Sequence, residues 1–373
     1  MDRFVIIAPL SALSKRTRLF KLSTFLNKTF PQIKISHFAW ERIKGEAVEN
    51  NLEFVIDKKI IYSGGGYGGT KIKFMYFVWM IKVFFNSLIY LKKKDTVWAL
   101  GFESAFPCML ASKIIGFRVY FDDADRFSMI FKFPNVIQKL IEYMEKLTSK
   151  QVYMHVVPGL ERYNFDSNKF FVLKNMPSKS EIIKAKQLYQ PTEYIKSNIV
   201  INVNGWLGNG RGMHVILEIA ECYPHDVAIV MAGKLDCDDA IKLCSLKNVQ
   251  YLGEVNNAQA LASYIGCDFV FTYYNPVMEI NNYAESNKWG DAIKIGVGVI
   301  VNSEVKTANY LRENGAAISV PYLETVSLKN EINTIIKNKT VNSYKQNALT
   351  LSDKFGYFEE QFLNIFKYET KQN

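Results

Sequence analysis

Short apolar runs rich in Val, Ile and Phe recur along this chain, separated by longer stretches of helical period. The second half shows the alternation cleanly. Ile199–Asn204, Val227–Ala232, Val249–Gly253, Asp268–Tyr274, Val297–Asn302 and Ile318–Val320 read as strands. Met213–Cys222, Ala258–Ile265, Lys288–Ile295 and Val305–Glu313 read as helices between them. Brief, continuously apolar strands spaced by helices predict βαβ units and a parallel sheet covered on both faces.

The first half follows the same rhythm less regularly. Its strands are expected at Phe4–Ile7, Ile33–Phe38, Lys59–Tyr62, Thr96–Leu100, Arg118–Asp122 and Phe170–Leu173, and its helices near 12–28, 71–92, 104–115 and 134–148. The opening MDRFVIIAPL reads as a buried first strand, since no signal-peptide cleavage pattern follows it. Pro177–Ser197 is polar, charged and interrupted by Pro191, which puts a domain boundary near residue 185. Leu351–Tyr368 has a helical pattern whose aromatic face, Phe355, Phe358, Phe362 and Phe366, needs a dry partner. The pattern thus predicts an α/β protein with domains 1–185 and 186–350 and a terminal helical segment, 351–373.

One segment, Phe74–Leu91, is apolar enough to raise the question of a membrane. It is short for a span, and Lys82 and Asn86 interrupt it. On a helix Phe74, Val78, Ile81, Phe85 and Leu88 share one side, while Trp79, Lys82, Asn86 and Lys93 share another. The expectation is a core helix packed on the sheet by the first side, its aromatic and basic rim touching a membrane surface.

Composition narrows the function. Hydrophobic residues are 49% and charged residues 22% of the 373, a globular balance sufficient for two ordinary cores. The five cysteines form no CxxC pair and the four histidines no HxxxH pair, so no metal is expected. An odd, scattered cysteine set suits a reducing compartment. The net charge of +10 comes without a zinc finger, an RRM signature or a long basic helix, so nucleic acid is not the expected partner. Most of the excess reads as solvated lysine. The clusters Lys15-Arg16-Thr17-Arg18 and Lys92-Lys93-Lys94 suit anionic lipid headgroups or phosphorylated substrates.

Two stretches carry candidate chemistry. Asn204–Gly212 reads NGWLGNGRG, a glycine-rich turn leading from a strand into a helix. Backbone N–H groups at a helix mouth, with Arg211 beside them, suit a diphosphate; the plainer alternative is that the glycines only shape the turn. In Ala284–Ile300, Asn287 and Lys288 stand where a helix begins, and Asp291 lies one turn in on the same side. A lysine at a helix N-terminus can hold phosphate while a carboxylate takes ribose hydroxyls. Capping alone would account for Asn287, and a solvated face for Lys288. A third stretch, Ser63–Thr70, matches GxGxxG, but the following Asp95 would open a strand where a ribose-binding acid closes one. It reads as a mobile loop beside the cleft, with a dehydrogenase a poor second.

Taken together, these residues resemble a known pattern. Ser286–Ile300 is similar to the S-P-N-K-x-x-E-Y-x-A-x-G-x-P-V-I segment of GT-B glycosyltransferases of family 4 type. Gly205–Gly212 resembles that family's G-R-L-x-x-x-K-G loop, with Arg211 at the lysine. Gly233-Lys234 resembles its strand-end glycine turn, and Asn248–Tyr274 its stretch ending in an aspartate-led strand. Val119–Asp125 resembles its V-Y-D-x-H-D turn, and Lys174–Pro177 the turn before its linker. Two departures stand out. Ala124 replaces the family histidine, and Tyr283 stands eight positions before Asp291 where members carry a first glutamate. Glu285 or Glu279 is the substitute to consider.

The resemblance implies a GT-B fold, two doubly wound Rossmann-like domains facing each other across a cleft, with the last helix crossing back to the first domain. It implies a retaining hexosyltransferase that uses a nucleotide-diphosphate sugar and no metal or other cofactor. Gly205, Arg211, Gly212, Gly233, Asn287, Lys288 and Asp291 would bind the donor, with Asp291 on the ribose. Asp125 and Glu103 would face the acceptor, and Glu285 would join them as a catalytic candidate. The acceptor would be a saccharide, lipid-linked, in bacterial surface polysaccharide synthesis. The protein would be cytoplasmic and peripheral on the inner face of the membrane, against anionic lipid. A GT-B nucleotide-sugar 2-epimerase and an inactive module binding a transferase partner are the rival readings.

Overall fold

Thirteen strands form two separate parallel sheets in a computed structural model of the chain, which describes residues 3–46, 52, 54, 56–68, 71–190 and 197–370. The chain divides into two units, Met1–Leu173 with Ile365–Asn373, and Lys174–Asn364. In the first, the elements run β1 (Arg3–Ala8), α1 (Thr17–Thr29), β2 (Lys34–Glu41), β3 (Asp57–Ser63), α2 (Ile72–Tyr90), β4 (Thr96–Leu100), α3 (Phe102–Ile115), β5 (Arg118–Asp122), α4 (Phe127–Ile130), α5 (Asn135–Gln151), β6 (Met154–Val157) and β7 (Phe170–Val172). The sheet order is β3-β2-β1-β4-β5-β6-β7, every pair parallel. The order reverses direction beside β1, so the loops after β1 and β4 open the crevice in which doubly wound sheets bind ligands.

The second unit runs α6 (Lys179–Leu188), β8 (Ile199–Gly208), α7 (Met213–Cys222), β9 (Val227–Asp236), α8 (Asp238–Leu243), β10 (Val249–Tyr251), α9 (Asn257–Ala262), β11 (Phe269–Thr272), α10 (Asn287–Ile295), β12 (Gly298–Asn302), α11 (Asn309–Glu313), β13 (Ala317–Val320), α12 (Thr325–Asn338) and α13 (Val341–Phe355), and the last helix, α14 (Phe358–Thr370), belongs to this unit up to Asn364 and to the first from Ile365. Its sheet order, β10-β9-β8-β11-β12-β13, is likewise all parallel, with its switch point beside β8. Ile201, Val203, Ile229, Met231, Phe269 and Ile300 are buried, as expected where helices cover both faces of a sheet. Two α/β units with doubly wound parallel sheets are therefore the architecture, as the sequence pattern predicts.

Several local expectations need correcting. The division between units falls at Leu173/Lys174 instead of near residue 185, because α6 buries Ile182 and Ala185 in the second unit's core. A capping box, Ser178 with Glu181, starts that helix inside the stretch expected to be a linker, whose Pro191 lies outside the described residues. Leu351–Tyr368 is not one helix. Gly356, at φ 68°, ends α13, and α14 begins two residues later. Phe366 belongs to the first unit, where it packs on Phe4, Phe25 and Phe30, whereas Phe358 and Phe362 belong to the second. Strand β6 was not expected at all, being only 4 residues long.

The largest reversal concerns α2. Trp79, Met80 and Val83 are buried against the sheet, and Phe74, Ile81 and Phe85 are exposed, the opposite of the expected orientation. Apolar residues surround nearly the whole helix, so periodicity alone does not select a face. The Trp79 ring stacks on Trp40 at 5.7 Å between centroids, and its N–H donates to Ser104 Oγ at 3.1 Å. A large ring with a satisfied polar atom outcompetes Phe74 for the interior. The glycine run before α2 turns through Gly64, Gly65 and Gly66, all at positive φ, while Gly69 and Thr70 lie outside the described residues.

Candidate functional site

In the second unit the glycine-rich stretch is strand, not loop. β8 continues through Gly205, Trp206, Leu207 and Gly208, paired in register with Gly233–Asp236 of β9. Both strands bend at the same level, Gly205 at φ 99° and Gly233 at φ 125°. A Cβ on Gly233 would lie 1.9 Å from the Gly205 carbonyl oxygen, so only glycine permits this approach. The turn proper is confined to Asn209–Gly212, where Gly212 adopts φ 70° against Tyr273 and leads into α7. The helix mouth is there as expected, but the run of free N–H groups before it is not.

Beside the bend lies a cavity of about 480 Å³ whose lining includes Gly205, Gly233, Tyr264, Glu285, Lys288 and Asp291. It lies at the level where β8 and β9 bend, lined there by Asn204, Gly205, Ala232 and Gly233, and by the residues that begin α10. Ser286 rather than Asn287 caps that helix, its Oγ accepting from Lys288 N at 3.3 Å; Asn287 is exposed in the first turn and also lines the cavity. Lys288 passes beside Gly205, whose missing side chain leaves its ammonium room. That ammonium is surrounded by protein although part of the side chain opens to the cavity. Desolvation, then the positive charge of Arg211, pulls its pKa down to about 8. Arg211 lies face-on to Tyr274 at 4.4 Å and shares an adjoining crevice with Lys288. Two cations held within each other's field, beside the α10 N-terminus, are an arrangement that an anion would relieve.

Asp291 is one turn into α10 and close enough to raise the pKa of buried Tyr264, after burial itself. Tyr264 also bonds Asn204. Neither was singled out from the sequence. Tyr264 looks like one more core aromatic, and only the tertiary structure brings it to the cavity wall. Glu285 lines the same cavity, but its carboxylate is paired with Lys174 Nζ at 3.3 Å, and Lys174 lies over the Tyr310 ring. This chain therefore ties down the carboxylate that stands nearest in sequence to the family's first glutamate. Glu279 belongs to a 3-10 turn, Glu279–Tyr283.

In the first unit, Glu103 and Asp125 gather with residues the sequence placed elsewhere. Arg16, Arg42, Glu103, Asp123 and Asp125 all follow the carboxyl ends of strands. Arg16 pairs with Asp125 at 2.7 Å, Arg18 is buried on Asp122 at 2.6 Å, and Lys15 contacts Glu46 and Tyr67. Three basic side chains of the Lys15–Arg18 cluster are thus paired within their own unit, with Lys15 and Arg16 still part-exposed. Arg42 stacks on Trp40 at 4.2 Å and donates to Tyr76 Oη at 2.8 Å. Glu103 curls back over Gly101, where a Cβ would lie 2.5 Å from its carboxylate. Burial, with Asp123 adding to it, pushes the Glu103 carboxyl up to about 8. Near neutral pH it holds a proton and can donate a hydrogen bond.

That shift has a measurable sign. An unfolded glutamate loses its proton near 4.5, so between there and about 8 the folded state binds one proton more. The contribution of Glu103 to stability therefore falls as pH rises through this window. Glu103→Gln should remove that decline. In melting curves from about pH 5 to about pH 9, the variant should gain on the wild type as pH rises. Parallel curves would mean Glu103 is ionised throughout.

Among the described residues, no group of three or more His, Cys, Asp or Glu side chains is placed to hold a metal ion. No protein-family model matches the chain, and no curated protein matches it. Solved structures do. Sucrose-phosphate synthase from Thermosynechococcus elongatus superposes with a TM-score of 0.69 at 11% identity, covering 100% of this chain and 99% of that one. HepE from Anabaena in complex with UDP gives 0.67 at 14% identity, with both chains covered fully. A putative UDP-N-acetylglucosamine 2-epimerase from Listeria monocytogenes gives 0.63 at 13% identity, covering 100% and 97%. Likeness over whole chains, at identities this low, is likeness of architecture: the chain has the GT-B fold.

Proposed function

We propose that this protein is a glycosyltransferase that moves a sugar from a nucleotide-diphosphate sugar to a saccharide acceptor. The observation that supports it best is that Lys288 and the α10 N-terminus line one cavity with Asp291 a turn away, while Arg211 shares the adjoining crevice with Lys288. Departure of the nucleoside diphosphate from the anomeric carbon develops negative charge on the leaving oxygens. Preplaced cations and a helix end stabilise that charge without reorganising at the moment of reaction. Asp291 takes ribose hydroxyls. Asp125 faces the acceptor, and protonated Glu103 donates a hydrogen bond beside it. In the full reading the transfer is retaining and of hexosyl type, and needs no metal. The acceptor is lipid-linked, and the enzyme works in surface polysaccharide synthesis as a cytoplasmic protein peripheral on the inner membrane face.

A thermal-shift screen with UDP, GDP, ADP and dTDP tests the donor site, since a ligand that binds only the folded state raises the melting temperature. HepE was solved with UDP, which makes UDP the first nucleotide to try. Arg211→Ala should cost about 10-fold or more in nucleotide affinity, through a lost charge-assisted bond. Asp291→Asn should weaken nucleotide binding while leaving inorganic pyrophosphate binding unchanged. Equal losses for both ligands would remove Asp291 from the ribose. The Listeria neighbour keeps a second reading in play, an epimerase acting on a UDP-sugar alone. Release of UDP that depends on an acceptor favours transfer, whereas an isomerised sugar nucleotide with no acceptor present favours epimerisation.

A further inference from the structure

We propose that the outer surface of α2, α3 and α5 is a lipid-inserting face, by which the first unit lies in the headgroup layer of an anionic bilayer. The proposal rests on the membrane-associated reading above and names the face and the mode of attachment. Along α2, Phe74, Phe77, Ile81, Phe85 and Ile89 follow one another at spacings of three and four and form a single stripe. Phe74 is 65% exposed, Ile81 57%, Phe85 56% and Ile89 68%. The opposite side of α2 buries Trp79, Met80 and Val83 in the unit's own core. A helix with one side packed on a sheet cannot cross a bilayer, but it can lie in the interface with its other side down.

The stripe is not isolated. α2 packs along α3, which exposes Leu110 and Ile114, and α3 packs along α5, which exposes Val136, Leu140 and Tyr143. Single exposed apolar residues are ordinary, but a continuous surface on three neighbouring helices is not.

Charge selects the occupant. α2 contains no acidic residue, and the only one in α3, Glu103, is buried. On α5, Glu145 is buried on Arg126 and Glu142 accepts from Gln138. The exposed charges around the face are lysines, with Lys82 beside the stripe, Lys71 at one end, Lys92–Lys94 at the other and Lys139 on α5. Long lysine stems lie along apolar surface and carry their ammonium groups up to phosphate level. A second copy of the chain would set lysine against lysine, whereas anionic lipid offers both the apolar layer and the opposite charge.

Sedimentation with vesicles of phosphatidylcholine alone, and with about one-third phosphatidylglycerol, at low and high salt, tests the face. The protein should pellet with the anionic vesicles, and part should stay bound at high salt, because inserted apolar surface is not screened. Ile81→Glu and Phe85→Glu, both at exposed positions, should each weaken vesicle binding on the order of tenfold with an unchanged melting temperature. Three results would overturn the proposal. One is no pelleting with anionic vesicles. Another is pelleting that neither glutamate variant reduces. The third is a dimer, seen by analytical ultracentrifugation, that these variants split without any effect on lipid binding. Nucleotide thermal shifts on the same variants keep the two readings apart. A lost shift in the wild type with lipid binding intact defeats the donor site alone, and the converse defeats the face alone.

Discussion

Lys288→Met lowers nucleoside diphosphate affinity by roughly 10- to 100-fold and, in the same protein, raises or preserves the melting temperature of the ligand-free form. Both effects follow from one geometry. The ammonium is held among protein atoms near Arg211, so the unliganded protein carries a desolvated charge at a cost. A bound diphosphate turns that cost into a charge-assisted contact. A lysine kept merely to pack its stem would show neither effect.

The pH dependence has a definite direction. Free Lys288 titrates at about 8. A neighbouring diphosphate favours the charged form, so above that pH binding must take up a proton. Affinity should hold steady below about pH 8 and then fall with rising pH, by up to about tenfold per unit. Lys288→Arg, charged throughout, should flatten the profile in calorimetric titrations. Folding stability carries the opposite slope from this group. With the folded pKa depressed and the unfolded one near 10.5, its penalty is complete below about 8 and is relieved between the two values. A binding profile that stays flat through this range in the wild type would take Lys288 off the phosphates.

The second large effect is structural. Gly290 lies inside α10, where alanine would ordinarily add about 1 kcal/mol of helix stability. Here a Cβ would fall 2.0 Å from the Asn175 carbonyl oxygen and 2.9 Å from Met176 Cα, backbone atoms that cannot swing away. Gly290→Ala must therefore push α10 off the Lys174–Met176 segment, at an overpacking cost of about 1–3 kcal/mol or more. In a unit of this size the melting temperature should drop by roughly 3–10 °C. Nucleotide affinity should fall as well, because the same segment supplies Lys174 to Glu285, and Asn175 donates to the Glu285 carbonyl at 2.9 Å. Gly210→Ala is the control, with open space around it and no special backbone angle. A Gly290→Ala protein that melts higher than the wild type would show that this glycine only weakens the helix.

Sequence by itself determined the alternation of buried strands with helices, and with it two parallel sheets, because strands covered on both faces must be apolar throughout. It also singled out Lys288 and Asp291, which line one cavity, and Arg211, which lies in the crevice adjoining it. In a parallel sheet all strand ends point the same way, and a helix start brings residues one turn apart to one side. Features that depend on partners distant in the chain stayed hidden. Glu285 is paired with Lys174 across more than a hundred positions, Tyr264 lines the same cavity as Asp291, and Arg18 is spent on Asp122. Gly205–Gly208 reads as a loop until β9 is seen to pair with it along its whole length. Which side of α2 faces the core was likewise settled by packing. The helix is apolar almost all round, so its own pattern leaves the choice open, and the fit of Trp79 between Trp40 and Ser104 decides it, turning Phe74, Ile81 and Phe85 outward.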